Sequence, residues 1–382
     1  MKVRTSILAN GTLTDHTGAE RVNDGRVQLV LAFGMRQLLD RGVYQSLRKV
    51  YPVAEIAMAS TSGEIIDQRV QEGTVSVTAI EFDDTVVRGV GVDIADVDGD
   101  SYRAGIVLAD RLPFSEDLCY IMLLSDGSSL VNGSELVRGV EAIVQHRVPV
   151  TGGLAGDGLD FSTTLVGLNN DPRPGYIAAL AFYGKRLAVT CGTMGGYDVF
   201  GPEITVTHSC GTRLYAINGK NALELYKKYL GPYAAGLPGS AMLFPLSVKL
   251  DDLTPPVVRT ILSIEPDTGC MIFAGDIPQG ARVRLMKTNF DRLIDAASEA
   301  AGNTLKSLVA PSPKLAILIS CVGRKIILNK RVEEEIEAVW EAYNGRTVLR
   351  GFYSYGEICP FSEGTACELH NQTMTITTFD EL

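Results

Sequence analysis

Three short phrases of this chain set a carboxylate beside glycine. Residues 60–65 read Ser-Thr-Ser-Gly-Glu-Ile, and residues 353–358 read Tyr-Ser-Tyr-Gly-Glu-Ile. Between them, residues 151–158 read Thr-Gly-Gly-Leu-Ala-Gly-Asp-Gly. A carboxylate lining a pocket selects an ammonium, hydroxyl or guanidinium through charge-assisted hydrogen bonds. Buried without a partner it is strongly destabilising, so each acid needs one. The phrases make Ser62, Glu64, Gly152, Gly153, Gly156, Asp157, Tyr355 and Glu357 candidate ligand-binding residues. Asp126, in the turn Ser125-Asp126-Gly127, joins them. Arg324 follows the turn Cys321-Val322-Gly323, and its fork could grip a ligand carboxylate or pair with a protein acid. His370 and Asn371 complete the set, and Tyr355 reads equally as pocket wall or packing.

Other chemistries fit less well. The glycine phrase at 151–158 lacks the Lys-Ser/Thr of a phosphate-binding P-loop and does not give G-x-G-x-x-G, and Asp157 would repel phosphate. Cys321, His370 and Glu357 could form a thiol nucleophile constellation, but no local signature supports it. His370 could be an axial haem ligand or a structural histidine. Four scattered histidines give no zinc-site spacing, and no metal is expected.

The elements that must hold these phrases repeat one pattern. Val27–Phe33 reads as a strand, about Met35 to Val50 as a helix, and Val53–Ala59 as a second strand. Cys119–Leu124 is a strand, Ser134 an N-cap for a helix to about Arg147, and Val148–Val150 the return. Leu315–Ser320, a helix from about Val332 to Tyr343, and Thr347–Phe352 form the third unit. About 30 residues separate each turn from its acid: Gly34 to Glu64, Asp126 to Asp157, and Gly323 to Glu357. Strand–helix–strand with a short return is a βαβ unit, whose ligands bind at the C-terminal strand ends. All three phrases fall there. Further strands are expected over 75–82, 86–92, 164–168, 177–183, 187–191 and 204–208, with helices over 220–230 and 290–301.

The fold class expected is α/β: two α/β domains with mixed sheets around repeated βαβ units, helices packed on the sheets. At 382 residues the chain is long for one core. The boundary is placed at 218, giving 1–218 and 219–382, with the Gly/Pro-rich stretch 231–239 as the alternative. The net charge of −10 argues against nucleic-acid partners. No apolar run approaches the ~20 residues that span a bilayer, and the first residues carry no secretory pattern. Seven cysteines without a C-x-x-C read as reduced thiols of a cytoplasmic protein.

The phrases together resemble a FIST-domain protein with FIST N and FIST C halves, over roughly residues 25–380. The resemblance rests on the 60–65 phrase, Leu124–Gly127, Gly152–Asp157 and Ala222-Leu223-Glu224-Leu225-Tyr226. It continues through Phe273–Pro278, Ser320–Arg324, Gly351–Ile358 and Leu369–Thr373. It implies a sensory, signal-transducing input domain for small molecules, with amino acids suggested and haem or nitric-oxide sensing as the alternative. Many members of that family fuse the sensor to an output domain; this chain departs from that pattern and is expected to be a stand-alone sensor whose output acts through a partner protein in trans. A small polar ligand is expected, an amino acid fitting acids for its ammonium and Arg324 for its carboxylate. A thiol enzyme using Cys321 is the third reading; the leading one is not an enzyme.

Overall fold

The computed structural model describes residues 1–16, 18–39, 41–249, 255–306, 308, 312–362 and 364–382. The three expected βαβ units are present. Leu29–Gly34 pairs parallel with Glu55–Ser60, Leu118–Ser125 with Val150–Leu154, and Leu315–Cys321 with Val348–Ser354. The helices Arg41–Val50, Gly133–Val144 and Val332–Ala342 make the crossovers. Each parallel pair is extended by antiparallel strands, giving three mixed six-stranded sheets.

Side-chain alternation along these strands builds two kinds of core. Leu29, Leu31 and Phe33 point inward, as do Tyr120, Met122 and Leu124 and also Ile317, Ile319 and Phe352, forming one central cluster shared by all three sheets. The alternate residues face outward onto helices. Val30 and Ala32 meet Val43 and Leu47, Ile121 and Leu123 meet Leu136 and Val140, and Ala316 and Leu318 meet Ile336 and Val339.

The sheets exchange strands in a cycle. The chain leaves the first sheet at Ser60 and enters the third as Glu64–Ile66, which pairs with Val348–Ser354. It leaves the third at Ser354 and enters the second as Gly356–Pro360, pairing with Val150–Leu154. It leaves the second at Leu154 and enters the first as Val166–Leu168, pairing with Glu55–Ser60. Sequence on both sides of residue 218 therefore shares the second and third sheets.

Residues 198–287 form a separate lobe, an eight-stranded antiparallel sheet with its own core around Val206, Leu214, Leu223, Tyr226, Phe273 and Val283. The chain enters the lobe through Gly195–Tyr197 and leaves through Thr288–Asn289, and Thr288 Oγ1 donates to Gly196 O at 2.6 Å.

Some boundaries differ from the sequence reading. The first crossover helix starts at Arg41, because residues 36–39 are spent in turns. The cap of the second is Asn132, whose side chain accepts from Ser134 N and Glu135 N, so Ser134 lies inside the helix. The helix at 290 runs on to Leu305. No described helix is long and apolar enough to cross a membrane.

Candidate functional site

The three phrases meet. Ser62 N donates to Tyr353 O at 2.9 Å, Tyr355 N to Leu154 O at 3.2 Å, and Gly156 N to Ser60 O at 2.8 Å. Each bond runs from one phrase to the next, so the three close a ring where the sheets exchange strands. Gly156 is required by that approach: a Cβ there would lie 2.4 Å from Ser62 Oγ. Gly153 faces the central core, where a Cβ would meet Ile319 Cγ2 at 2.7 Å, and Gly152 is packed on the Leu123 carbonyl in the adjacent strand.

Glu64 and Glu357 hold equivalent places in the cycle, opposite Phe352 and Gly153 across their new sheets. Both are fully buried. Glu64 accepts from Thr61 Oγ1 at 2.6 Å and Thr74 Oγ1 at 2.7 Å. Glu357 accepts from Ser354 Oγ at 2.6 Å and from Thr373 N and Oγ1 at 3.1 and 2.9 Å. Each acid thus ties a hydroxyl three residues earlier to one heading the next antiparallel strand. Burial pushes Glu64 up to about 7 and Glu357 up to about 8. The third place, opposite Ala59, is taken by Val166.

Asp157 does different work on the loop before Val166. It accepts from Ser162 N, Thr163 N and the Tyr355 hydroxyl. Burial would raise its carboxyl, but these bonds outweigh that and hold it below the usual range. Asp126 is buried and accepts from Ser128 N at 2.8 Å and Gly175 N at 2.9 Å. Arg324 is fully buried. It donates Nε and Nη2 to Glu335 Oε2 at 2.9 and 2.8 Å, Nη2 to Leu293 O, and Nη1 to Gly195 O at the entry to the lobe. Of the two roles weighed for Arg324, this is the pairing with a protein acid.

A cavity of about 350 Å³ lies between the strand ends of the second and third sheets and the lobe. The body supplies Ser128, Ser129, Leu154, Phe161, Tyr355 and Asn371, together with the turn from Cys321 to Gly323. The lobe supplies Thr212, Met242, Thr260, Leu262 and the run from Ile272 to Gly275. Phe161 stacks on Tyr355 with centroids 4.5 Å apart. Among the described residues, none that lines it is charged. Tyr355 and Asn371 line the cavity, whereas Ser62, Glu64, Asp126, Gly152, Gly153, Gly156, Asp157, Arg324, Glu357 and His370 are not among its lining residues. The lobe also bonds the body beside the cavity, through Thr260 N to Asn371 Oδ1 at 3.4 Å, Asn132 Nδ2 to Asp276 Oδ1 at 2.9 Å, and Arg259 Nη1 to Leu369 O at 2.8 Å.

Phe273–Gly275 lie in a phrase that carries the family resemblance, but no lobe residue was a site candidate, because apolar strand positions such as Leu262 and Ile272 carry no chemical signal. His370 does not fit haem ligation. It is buried, its Nε2 bonds Cys359 O at 2.8 Å, its ring packs edge-on against Phe361, and burial lowers it to about 4. Cys321 lines the cavity, but burial, with Glu357 nearby, pushes its thiol far up.

No curated protein sequence matches the chain. Two family models do: the FIST N domain over residues 28–220 and the FIST C domain over residues 222–360. The strands that exchange between sheets, and every described cavity-lining residue except Asn371, lie in these two matched stretches, and the chain belongs to the FIST family, whose domains are associated with sensory signal transduction and small-ligand binding.

Proposed function

We propose that this protein is a cytoplasmic sensor whose input is a small ligand held between the lobe and the three-sheet body. The observation that carries this reading is the cavity's position. Its walls belong to two bodies that the chain links through two short crossings, Gly195–Tyr197 and Thr288–Asn289. A ligand touching both bodies favours one pose of the lobe. Signalling requires such differential affinity, and a coupling of about 1–3 kcal/mol changes affinity roughly 5–150-fold. A signalling partner would read the lobe's pose.

An amino acid with an apolar side chain is the finer reading. Phe161, Leu262 and Phe273 offer an apolar wall, and Ser128, Ser129, Thr260 and Asn371 offer neutral hydrogen-bonding groups. The ammonium and carboxylate would then be met by hydroxyl and amide groups, with Asp157 one hydrogen bond behind Tyr355. The elevated Cys321 thiol favours binding over thiol catalysis.

The test is a calorimetric screen of amino acids against wild type, Phe161→Ala and Ser129→Trp, the last at the exposed rim. Both substitutions are expected to weaken a confirmed ligand at least tenfold. Unchanged affinity in both would place the ligand elsewhere.

A further inference from the structure

A second cavity, of about 700 Å³, opens where the edge strand of the third sheet, Leu187–Met194, meets the Gly356–Pro360 strand of the second. Leu187 and Val189 face the central core, and Cys191 continues that face by strand alternation. Ile358 faces the outer core of the second sheet, which turns Cys359 inward. The two thiols meet across the corner in a hydrogen-bonding contact. Cys191 is partly exposed and lines the cavity, while Cys359 is fully buried behind it. His146, Arg147 and Lys306 also line the cavity, and among the described residues no acid lines it, on a chain of net charge −10. Arg147 is held there by Val144 O at 2.9 Å and by the Phe114 ring, 4.4 Å from its guanidinium carbon.

We propose that Cys191 and Cys359 are a thiol-exchange pair that reacts with an anionic small-molecule disulfide admitted to this cavity. In the first step the Cys191 sulfur attacks one sulfur of the disulfide. The small molecule's S–S bond breaks, and one small thiol leaves with the proton Cys191 gives up. In the second step the Cys359 sulfur attacks the Cys191 sulfur of the mixed disulfide. The second small thiol leaves with the Cys359 proton. Two protein thiols are oxidised to one disulfide, and one small disulfide is reduced to two thiols. The new bond staples the edge of the third sheet to the second. Arg147 and Lys306 supply the attraction for carboxylates on the incoming molecule. The adjacent Cys191 thiol, and then burial, hold Cys359 well above the usual thiol range, so the second step is the slower one. Cys119 takes no part; its thiol donates to Phe182 O at 3.3 Å.

The experiment treats the full chain with oxidised glutathione and follows intact mass and mapped peptides over time. A glutathionyl adduct on Cys191 is expected first, then its conversion to a Cys191–Cys359 disulfide with net loss of two hydrogen atoms. Cys359→Ser stops at the adduct. Cationic cystamine reacts severalfold more slowly at low salt, and added salt narrows the gap. Labelling of exposed Cys210 without Cys191 overturns the proposal. So does a Cys191 adduct that never proceeds to the Cys359 disulfide. Equal rates for the two reagents would overturn the anionic class. If Cys359→Ser does not fold, the wild-type time course alone decides between these outcomes.

Discussion

Replacing Glu357 with glutamine should flatten the alkaline side of the stability profile. The Glu357 carboxyl rises from an ordinary 4.5 to about 8 because burial penalises its charged form. Between those values the folded chain keeps a proton that the unfolded chain has lost. Unfolding releases that proton, so stability falls as pH climbs from 4.5 and levels off above about 8. At ~1.4 kcal/mol per pH unit, the ceiling on this loss is about 5 kcal/mol. Glu64, raised to about 7, adds up to about 3 kcal/mol of the same sign. Glutamine fits the Glu357 site. Ser354 Oγ lies 3.3 Å from Ser320 O, so its hydroxyl can donate there and accept from the new amide. Thr373 N and Oγ1 can keep donating to the amide oxygen. Urea unfolding of both proteins at fixed ionic strength, from about pH 5 to 9, isolates the residue. Over that window the variant should lose less stability than wild type by up to about 4 kcal/mol, and retain the loss due to Glu64. Parallel profiles would mean that Glu357 titrates alike in both states, and the buried-acid account would fail.

Three further outcomes follow. Gly156→Ala places a Cβ 2.4 Å from Ser62 Oγ and should cost roughly 1–3 kcal/mol, read by thermal unfolding; an unchanged midpoint would show that the ring of loops gives way easily. Arg324→Met leaves Glu335 buried without its cation, which should cost about 3–5 kcal/mol. Adding Glu335→Gln should recover part of it, and strictly additive losses would contradict the pairing. Cys321 should be alkylated by iodoacetamide far more slowly than exposed Cys210 in a mass-mapped time course, and comparable rates would reopen the thiol reading.

The βαβ units were legible because their strands are continuous apolar runs and their helices carry an apolar stripe, as at Val332, Ile336 and Val339. The rhyme between residues 60–65 and 353–358 also held meaning, since it marks two equivalent corners of the cycle. What it could not disclose was where each strand goes next. Glu64–Ile66 pairs with Val348–Ser354 nearly three hundred residues away, and no local pattern encodes such a partner. The same distance hid the duty of the acids. Glu64 and Glu357 look like loop carboxylates until Thr74 and Thr373 arrive from the following strands. Arg324 read as a grip on a ligand or as the partner of a protein acid, and only the fold names that acid, Glu335, eleven residues along and folded back onto it.

The cycle has three corners, and at two of them a buried acid stands in the new strand itself. At the third, Val166 stands in the acid's place, and the connection from Leu154 lengthens into residues 155–165. That longer connection brings Phe161 to the cavity wall and Asp157 to the Tyr355 hydroxyl. Beyond Gly156 and Asp157, that connection can change its length and side chains without undoing the sheets. Specificity for one ligand over another could therefore be rewritten at residues 159–163 while Gly156, Asp157 and the other two corners stay as they are.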